Sequence, residues 1–264
     1  AGDGPELDEV VDREIPGPAG SIPIRVYRNT GASGVFVFYH GGGYTIGDLD
    51  THDQVCRQLA LESASTVVSV DYVQLPEGSI ADSVHDAITA YEALLDDPEI
   101  DAVYIPLPNH LHVDWALRAA EAGKHVLVEK PLALTAAEFD RVIAARDSTG
   151  KLISEAFMIV HHPQWQRTRA LLQEGAIGKL VRVSAAFSYD NGADLGNIRN
   201  RPETGGGALP DIGVYIYGAT RFATGEEPAR ILSTEIQREN GVDTWSHVTA
   251  QFPSFHYTGV VSMR

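Results

Sequence analysis

The sequence predicts an α/β protein: a doubly wound parallel sheet entered through an N-terminal β-hairpin, then an α+β domain whose sheet is mostly antiparallel. Three observations carry that prediction. Short, mainly apolar runs at 35–39, 66–71, 102–106 and 125–129, with a further strand at 151–156, are separated by helix-length segments, as expected of strands buried on both faces of a parallel sheet. Residues 9–28 instead alternate apolar and polar around Gly17-Pro18-Ala19-Gly20, the pattern of a hairpin. Beyond residue 157 the runs alternate as well, which suits strands with one face in solvent. The expected division is therefore 1–157 and 158–264.

Taken in order, the hairpin joins 10–15 to 22–27. The run Val35-Phe36-Val37-Phe38-Tyr39 leads through a glycine-rich loop to a helix over about 51–63 and the strand at 66–71, a βαβ unit. Residues 79–95 place Ile80, Val84, Ala87, Ile88, Tyr91 and Leu95 at helical spacing. A strand at 102–106, a helix from 112 closed by Gly123 and a strand at 125–129 repeat the unit. Thr135, with Glu138 three positions on, has capping-box spacing and opens a helix to about 146. A helix from Pro163 to about 174, a strand at 180–187, a helix over 210–222 and strands at 230–237, 245–252 and 257–263 make the second domain.

A net charge of −16 and a pI near 4.9 argue against nucleic acid or an anionic membrane as partner. The single cysteine, Cys56, excludes an internal disulfide. The first residues lack the basic and apolar regions of a leader, and no apolar run reaches the ~20 residues of a membrane span. No histidine–carboxylate set has metal-ligand spacing. The expectation is a cytoplasmic enzyme acting on a small molecule.

Three stretches carry chemistry. They are Pro106-Leu107-Pro108-Asn109-His110-Leu111-His112, His125-Val126-Leu127-Val128-Glu129-Lys130-Pro131, and Gly205-Gly206-Gly207-Ala208-Leu209-Pro210-Asp211-Ile212-Gly213-Val214-Tyr215. Together, over about 90–264, they resemble the Gfo/Idh/MocA family of sugar and polyol oxidoreductases. The resemblance implies a Rossmann-like first domain, NAD or NADP as cofactor, and a sugar or polyol as substrate. Lys130 stands at the carboxyl end of a parallel strand, where α/β proteins bind ligands. The resemblance makes it the residue that positions the substrate oxygen, with the Lys130–Pro131 bond cis. Asp211 and Tyr215, spaced i, i+4, share a helix face. In the family the first holds a sugar hydroxyl and the second transfers the proton, its phenol (ordinarily near pKa 10) brought into range by the Lys130 charge. The resemblance also sets Pro108, Asn109, His112 and Glu129 beside the cofactor, and Arg199 and His162 on the substrate side. The plain alternatives are a solvated lysine, a capping aspartate, a half-buried core tyrosine and a histidine that only starts its helix. The C-terminal sheet is shorter than the family's, and an apolar edge on it would pair subunits into a homo-oligomer.

Residues 1–85 read differently. His40-Gly41-Gly42-Gly43, Val70-Asp71-Tyr72 and Leu75-Pro76-Glu77 resemble the N-terminus of hormone-sensitive-lipase-type α/β-hydrolases. In that family His40, Gly41, Gly42 and Gly43 would form an oxyanion loop. The Gly-x-Ser-x-Gly elbow of such a hydrolase occurs nowhere in the chain. Gly41, Gly43 and Gly47 also form Gly-x-Gly-x-x-x-Gly after a buried strand, with Asp71 at the end of the next strand. From those positions a substitute phosphate loop would hold a dinucleotide's pyrophosphate and ribose. The chain reads as a hybrid, its first domain hydrolase-like over 1–85 and oxidoreductase-like over 90–157. Three functions stay open: a nicotinamide-dependent sugar or polyol oxidoreductase, a carboxylesterase, and a folded hybrid without catalysis.

Overall fold

A computed structural model describes residues 4–32, 34–42, 45–95 and 100–264, with the backbone alone for Ile80, Ala93 and Leu94. The chain divides into two compact units, Ala1–Leu107 with Leu111–Glu155, and Pro108–His110 with Ala156–Arg264.

The first unit holds β1 (Glu9–Pro16), β2 (Ser21–Arg28), β3 (Val35–Tyr39), α1 (Asp53–Ser63), β4 (Thr66–Val70), α2 (Ile80–Leu95), β5 (Ala102–Ile105), α3 (His112–Glu121), β6 (His125–Glu129), α4 (Ala136–Thr149) and β7 (Ile153–Ala156). They form one sheet in the order β1-β2-β4-β3-β5-β6-β7. β3 pairs in parallel with β4 and β5, and β5 with β6, while β2 runs antiparallel to β4, so the hairpin closes that edge. All five residues of β4 are buried, because helices cover both faces. Phe36 and Phe38 pack toward α1 with Tyr27, Cys56, Ala60 and Val67. Tyr39 meets Ala87 and Tyr91 of α2 on the other face. α4 carries the expected capping box: the Thr135 side chain accepts from the Glu138 N–H, and the Glu138 carboxylate accepts from the Thr135 N–H.

Cys56 is fully buried in this core. Burial pushes its thiol up to about 12 from an ordinary 9.0. The folded state therefore favours the neutral thiol. That contribution is complete below the unfolded thiol's pKa and is lost as pH rises toward the folded value. Burial shifts the Tyr27, Tyr72 and Tyr91 phenols in the same direction. Urea titrations are expected to show stability flat from pH 7 to 8.5 and falling by about 2 kcal/mol or more by pH 10.5. Ellman's reagent is expected to label Cys56 only after unfolding, and rapid labelling of the native protein at pH 8 would refute the assignment.

The second unit holds α5 (Pro163–Gln173), β8 (Arg182–Ser188), α6 (Val214–Thr224), β9 (Arg230–Glu239), β10 (Val242–Gln251) and β11 (His256–Ser262). Its sheet runs β8-β11-β10-β9, antiparallel except for β8, which lies parallel to β11. Ala208, Ile212, Ile216, Val261 and Met263 form one buried cluster, and Ala250, Phe252, Phe255 and Tyr257 another. The helix expected over 210–222 is not regular. It opens with a π-helical turn, Leu209–Gly213, before α6. Gly213 permits the wider turn, since Leu209 and Tyr217 side-chain atoms crowd the space a β-carbon there would take. Turns of this kind recur at functional sites.

Candidate functional site

In the first unit the structure organises the backbone on either side of Lys130. Lys130 is half-buried at the end of β6, and the Lys130–Pro131 peptide is cis. Glu129 accepts the Tyr104 hydroxyl on Oε1 (2.6 Å) and the Lys130 N–H on Oε2 (3.2 Å). Tyr104 is itself stacked on Phe38, ring centroids 5.6 Å apart. The Pro131 carbonyl lies 2.8 Å from His112 Nδ1, and the Leu132 N–H donates to Glu155 Oε1 at 2.9 Å. Consecutive backbone groups at 130, 131 and 132 are thus each fixed by a side chain. Sequence reasoning missed Tyr104 and Glu155, since nothing in their spacing ties them to Lys130.

His112 starts α3, as the plain alternative held, yet it is wholly buried, with Nε2 2.5 Å from the Leu107 carbonyl. Pro108 is buried. The Asn109 amide donates to the Gly205 carbonyl at 2.9 Å, so its polar end supports the glycine-rich loop.

In the second unit Asp211 is buried on the π-helical turn. Its Oδ2 accepts from the Tyr189 hydroxyl (2.6 Å) and from Arg199 Nε (3.0 Å). Burial, then the Asp211 carboxylate, raises the Tyr189 phenol, which keeps it a donor. Burial opposes the Arg199 charge, but Asp211 with Tyr189 and Tyr215 nearby more than offsets this, and its pKa rises. Arg199, expected to reach toward substrate, is spent on the carboxylate. Tyr215 lies between Phe157 and Phe187, ring centroids 5.9 and 5.6 Å away. It also lines a cavity of about 610 Å³ with Trp165, Phe187 and Ile216. Asp211 and Tyr215 therefore serve different neighbours one turn apart. His162 is exposed and caps α5, its Nδ1 accepting the Gln164 N–H. No sequence signal marks Tyr189, a phenol just past the end of β8.

The loop after β3 was read as a dinucleotide or oxyanion loop, and Gly43 lies outside the described residues. Thirteen residues, 40 to 52, separate β3 from α1, so Gly41 and Gly47 do not sit at a helix N-terminus. That stretch has no lysine or arginine and contains Asp48 and Asp50. α1 adds Asp53 to its first turn, and its N-cap residue, His52, makes no side-chain capping bond. The Thr45 and Ile46 N–H groups are both turned onto the Gly42 carbonyl. Asp71 follows β4 directly and is partly exposed, with Oδ1 3.6 Å from His40 Nε2. Between the carboxyl ends of β3 and β5, where a doubly wound sheet opens to ligands, Tyr39, Tyr72, Tyr91 and Tyr104 leave a cavity of only about 20 Å³, room for one or two waters. A pyrophosphate wants a helix N-terminus and positive charge. The described residues of this loop do not fit one. It does not serve an esterase either, because β5 is followed by Pro106-Leu107-Pro108-Asn109 and no serine elbow.

Comparison with known proteins adds three findings. Residues 50–157 match the GFO/IDH/MocA model described as an oxidoreductase family with an NAD-binding Rossmann fold, and residues 165–264 match the GFO/IDH/MocA C-terminal domain. The first match starts inside the stretch read as hydrolase-like and assigns 50–85 to the oxidoreductase. An uncharacterised oxidoreductase of Rhizobium meliloti is 47% identical over 165 residues, 62% of this chain and 49% of its own. A dTDP-3,4-didehydro-2,6-dideoxy-alpha-D-glucose 3-reductase of Saccharopolyspora spinosa is 41% identical over 167 residues, 63% of this chain and 50% of its own. A 3-ketoreductase from Actinomadura kijaniata, solved with NADP and TDP-benzene, superposes with a TM-score of 0.62 at 28% identity, covering 87% of this chain and 69% of that one. The chain spans about half the length of the curated relatives it matches. Matched in both its Rossmann and its C-terminal domain, this protein belongs to the GFO/IDH/MocA oxidoreductase family.

Proposed function

We propose that the protein is an oxidoreductase of sugar-type substrates, a keto or hydroxy group on a sugar or polyol ring being the reacting centre. The observation that carries this is the Glu129-Lys130-Pro131 turn, whose backbone is fixed at three successive residues by Glu129, His112 and Glu155. An ammonium on a rigid strand end is suited to holding an oxygen whose proton is being gained or lost. In this reading Lys130 positions the substrate oxygen, Tyr215 gives or takes its proton, and Asp211 accepts a neighbouring hydroxyl. Tyr189 and Arg199 orient Asp211 by donating to its Oδ2. The reductases named above support the substrate class.

A nicotinamide, NAD or NADP, is supported by the match to an NAD-binding model and by the NADP bound to the 3-ketoreductase. The described residues of the loop after β3 form no pyrophosphate cradle, so the roles given are those of side chains toward the substrate. The test is oxidation of NADPH or NADH followed by absorbance with keto sugars, free and nucleotide-linked. Turnover is expected, with cofactor KM at or above about 1 mM, the weak end of the usual range. No turnover at 10 mM of either cofactor, with no change in melting temperature, would overturn the reading.

We also infer that the protein self-associates through the second unit's sheet. β9 is exposed along its whole length, with Ile231, Leu232 and Ile236 in solvent. An open apolar strand at a sheet edge favours pairing. Light scattering is expected to give a dimer or larger and a monomer for Ile236→Lys. A monomeric parent protein would end the idea.

A further inference from the structure

We infer that His112 carries a positive charge in the folded protein and acts as the positioning residue that locks the Lys130–Pro131 turn to the loop leaving β5. The inference rests on the proposed role of Lys130 for its consequence but not for its test. His112 is completely buried at the first position of α3. Its Nδ1 is 2.8 Å from the Pro131 carbonyl oxygen, and its Nε2 is 2.5 Å from the Leu107 carbonyl oxygen.

A carbonyl oxygen only accepts. A neutral imidazole has one N–H donor and one bare nitrogen, so it satisfies one of these carbonyls and turns a lone pair on the other at contact distance. Only the doubly protonated ring donates to both. The charge is local to the turn: Glu129 and Lys130 lie at the end of β6, Glu155 on β7 holds the Leu132 N–H, and Asp114 on α3 pairs with Arg141 of α4. Arg118 on α3 pairs with Glu92 of α2, and Glu121 on α3 with Glu138, Asp140, Arg146 and Asp147 on α4 make up the remaining charged groups of the two helices.

The mechanical consequence follows from the two partners. Pro131 is the residue after Lys130, and Leu107 directly precedes Pro108 and Asn109. One ring therefore fixes the spacing between two carboxyl-terminal strand ends, β5 and β6, where a parallel sheet places its working residues. Displacing a reacting group by about 1 Å costs on the order of a hundredfold in rate.

The test is the protonation state itself, read by two-dimensional proton–nitrogen NMR on protein labelled in the histidine rings, at pH 8, where an ordinary histidine is neutral. Both His112 ring nitrogens are expected to be protonated, with the signal assigned by its loss in His112→Asn and His112→Gln. If either variant fails to fold, assignment comes from through-space contacts to Leu107 and Pro131. One protonated and one bare nitrogen at pH 8 overturns the proposal. In turnover, His112→Ala is expected to lower kcat by roughly 10- to 100-fold with KM changed less than threefold. Asn (at the Nδ1 position) and Gln (at the Nε2 position) each restore part of the loss, because each returns one of the two donors. Equal loss in all three variants would count against the two-donor clamp. A parent protein with no turnover defeats the oxidoreductase reading and leaves the NMR result to decide this one.

Discussion

Replacing Lys130 with alanine is expected to remove turnover, by about a thousandfold in kcat/KM, while the protein melts within a few degrees of the parent. A thousandfold is about 4 kcal/mol of transition-state stabilisation. That matches the loss of a group that holds the reacting oxygen, the role proposed for Lys130. The fold should survive, because the turn is fixed through its backbone and neighbours: the Lys130 N–H on Glu129, the Pro131 carbonyl on His112 and the Leu132 N–H on Glu155. None of these three contacts uses the lysine side chain. Steady-state kinetics beside a thermal melt separates the outcomes. A variant that keeps activity within tenfold would move the chemistry away from this residue, and one that unfolds would make the side chain structural.

Gly207→Ala is expected to destabilise the second unit by on the order of 3 kcal/mol, a fall in melting temperature of roughly 6–12 °C. Gly207 has φ of +132°, and a β-carbon there would overlap Asp243 Oδ1. Asp243 is buried, and its other oxygen accepts the Leu209 N–H at 2.7 Å, capping the turn that carries Asp211. The substitution thus strains the backbone and displaces a cap, two separate costs. The Asp211 N–H donates to the Gly207 carbonyl, so the carboxylate proposed to hold substrate moves with it, and any activity should drop as well. A melt within 2 °C of the parent would show that the loop relaxes without Asp243.

Much of this was legible in the sequence. The apolar runs located the parallel strands because burial on both faces favours apolar residues, and β4 is buried at every position, its Thr66 and Ser69 included. Thr135 and Glu138 announced their capping box because both partners lie within one turn. Long-range pairings were not legible. Tyr189 and Arg199 reach Asp211 across 22 and 12 residues, and no local period records such a meeting. Helical spacing suggested a regular helix at 210–222, because a π-helical turn changes the winding without changing which residues are apolar. The glycines at 41 and 47 suggested a phosphate loop, since glycine reports backbone freedom and not what the freedom is for. The structure uses it for a long turn ahead of α1, with acidic residues where an anion would need the reverse.

The hairpin edge of the first unit also bears on how the protein behaves when crowded. β1 carries Glu9, Asp12, Arg13 and Glu14 within eight residues and finishes at Pro16. A foreign strand laid along it would meet alternating charge and then a ring with no amide hydrogen to offer. Intermolecular stacking from that side is thereby discouraged, so any clumping of concentrated or heat-stressed samples should begin in the other unit, where aliphatic side chains line β9.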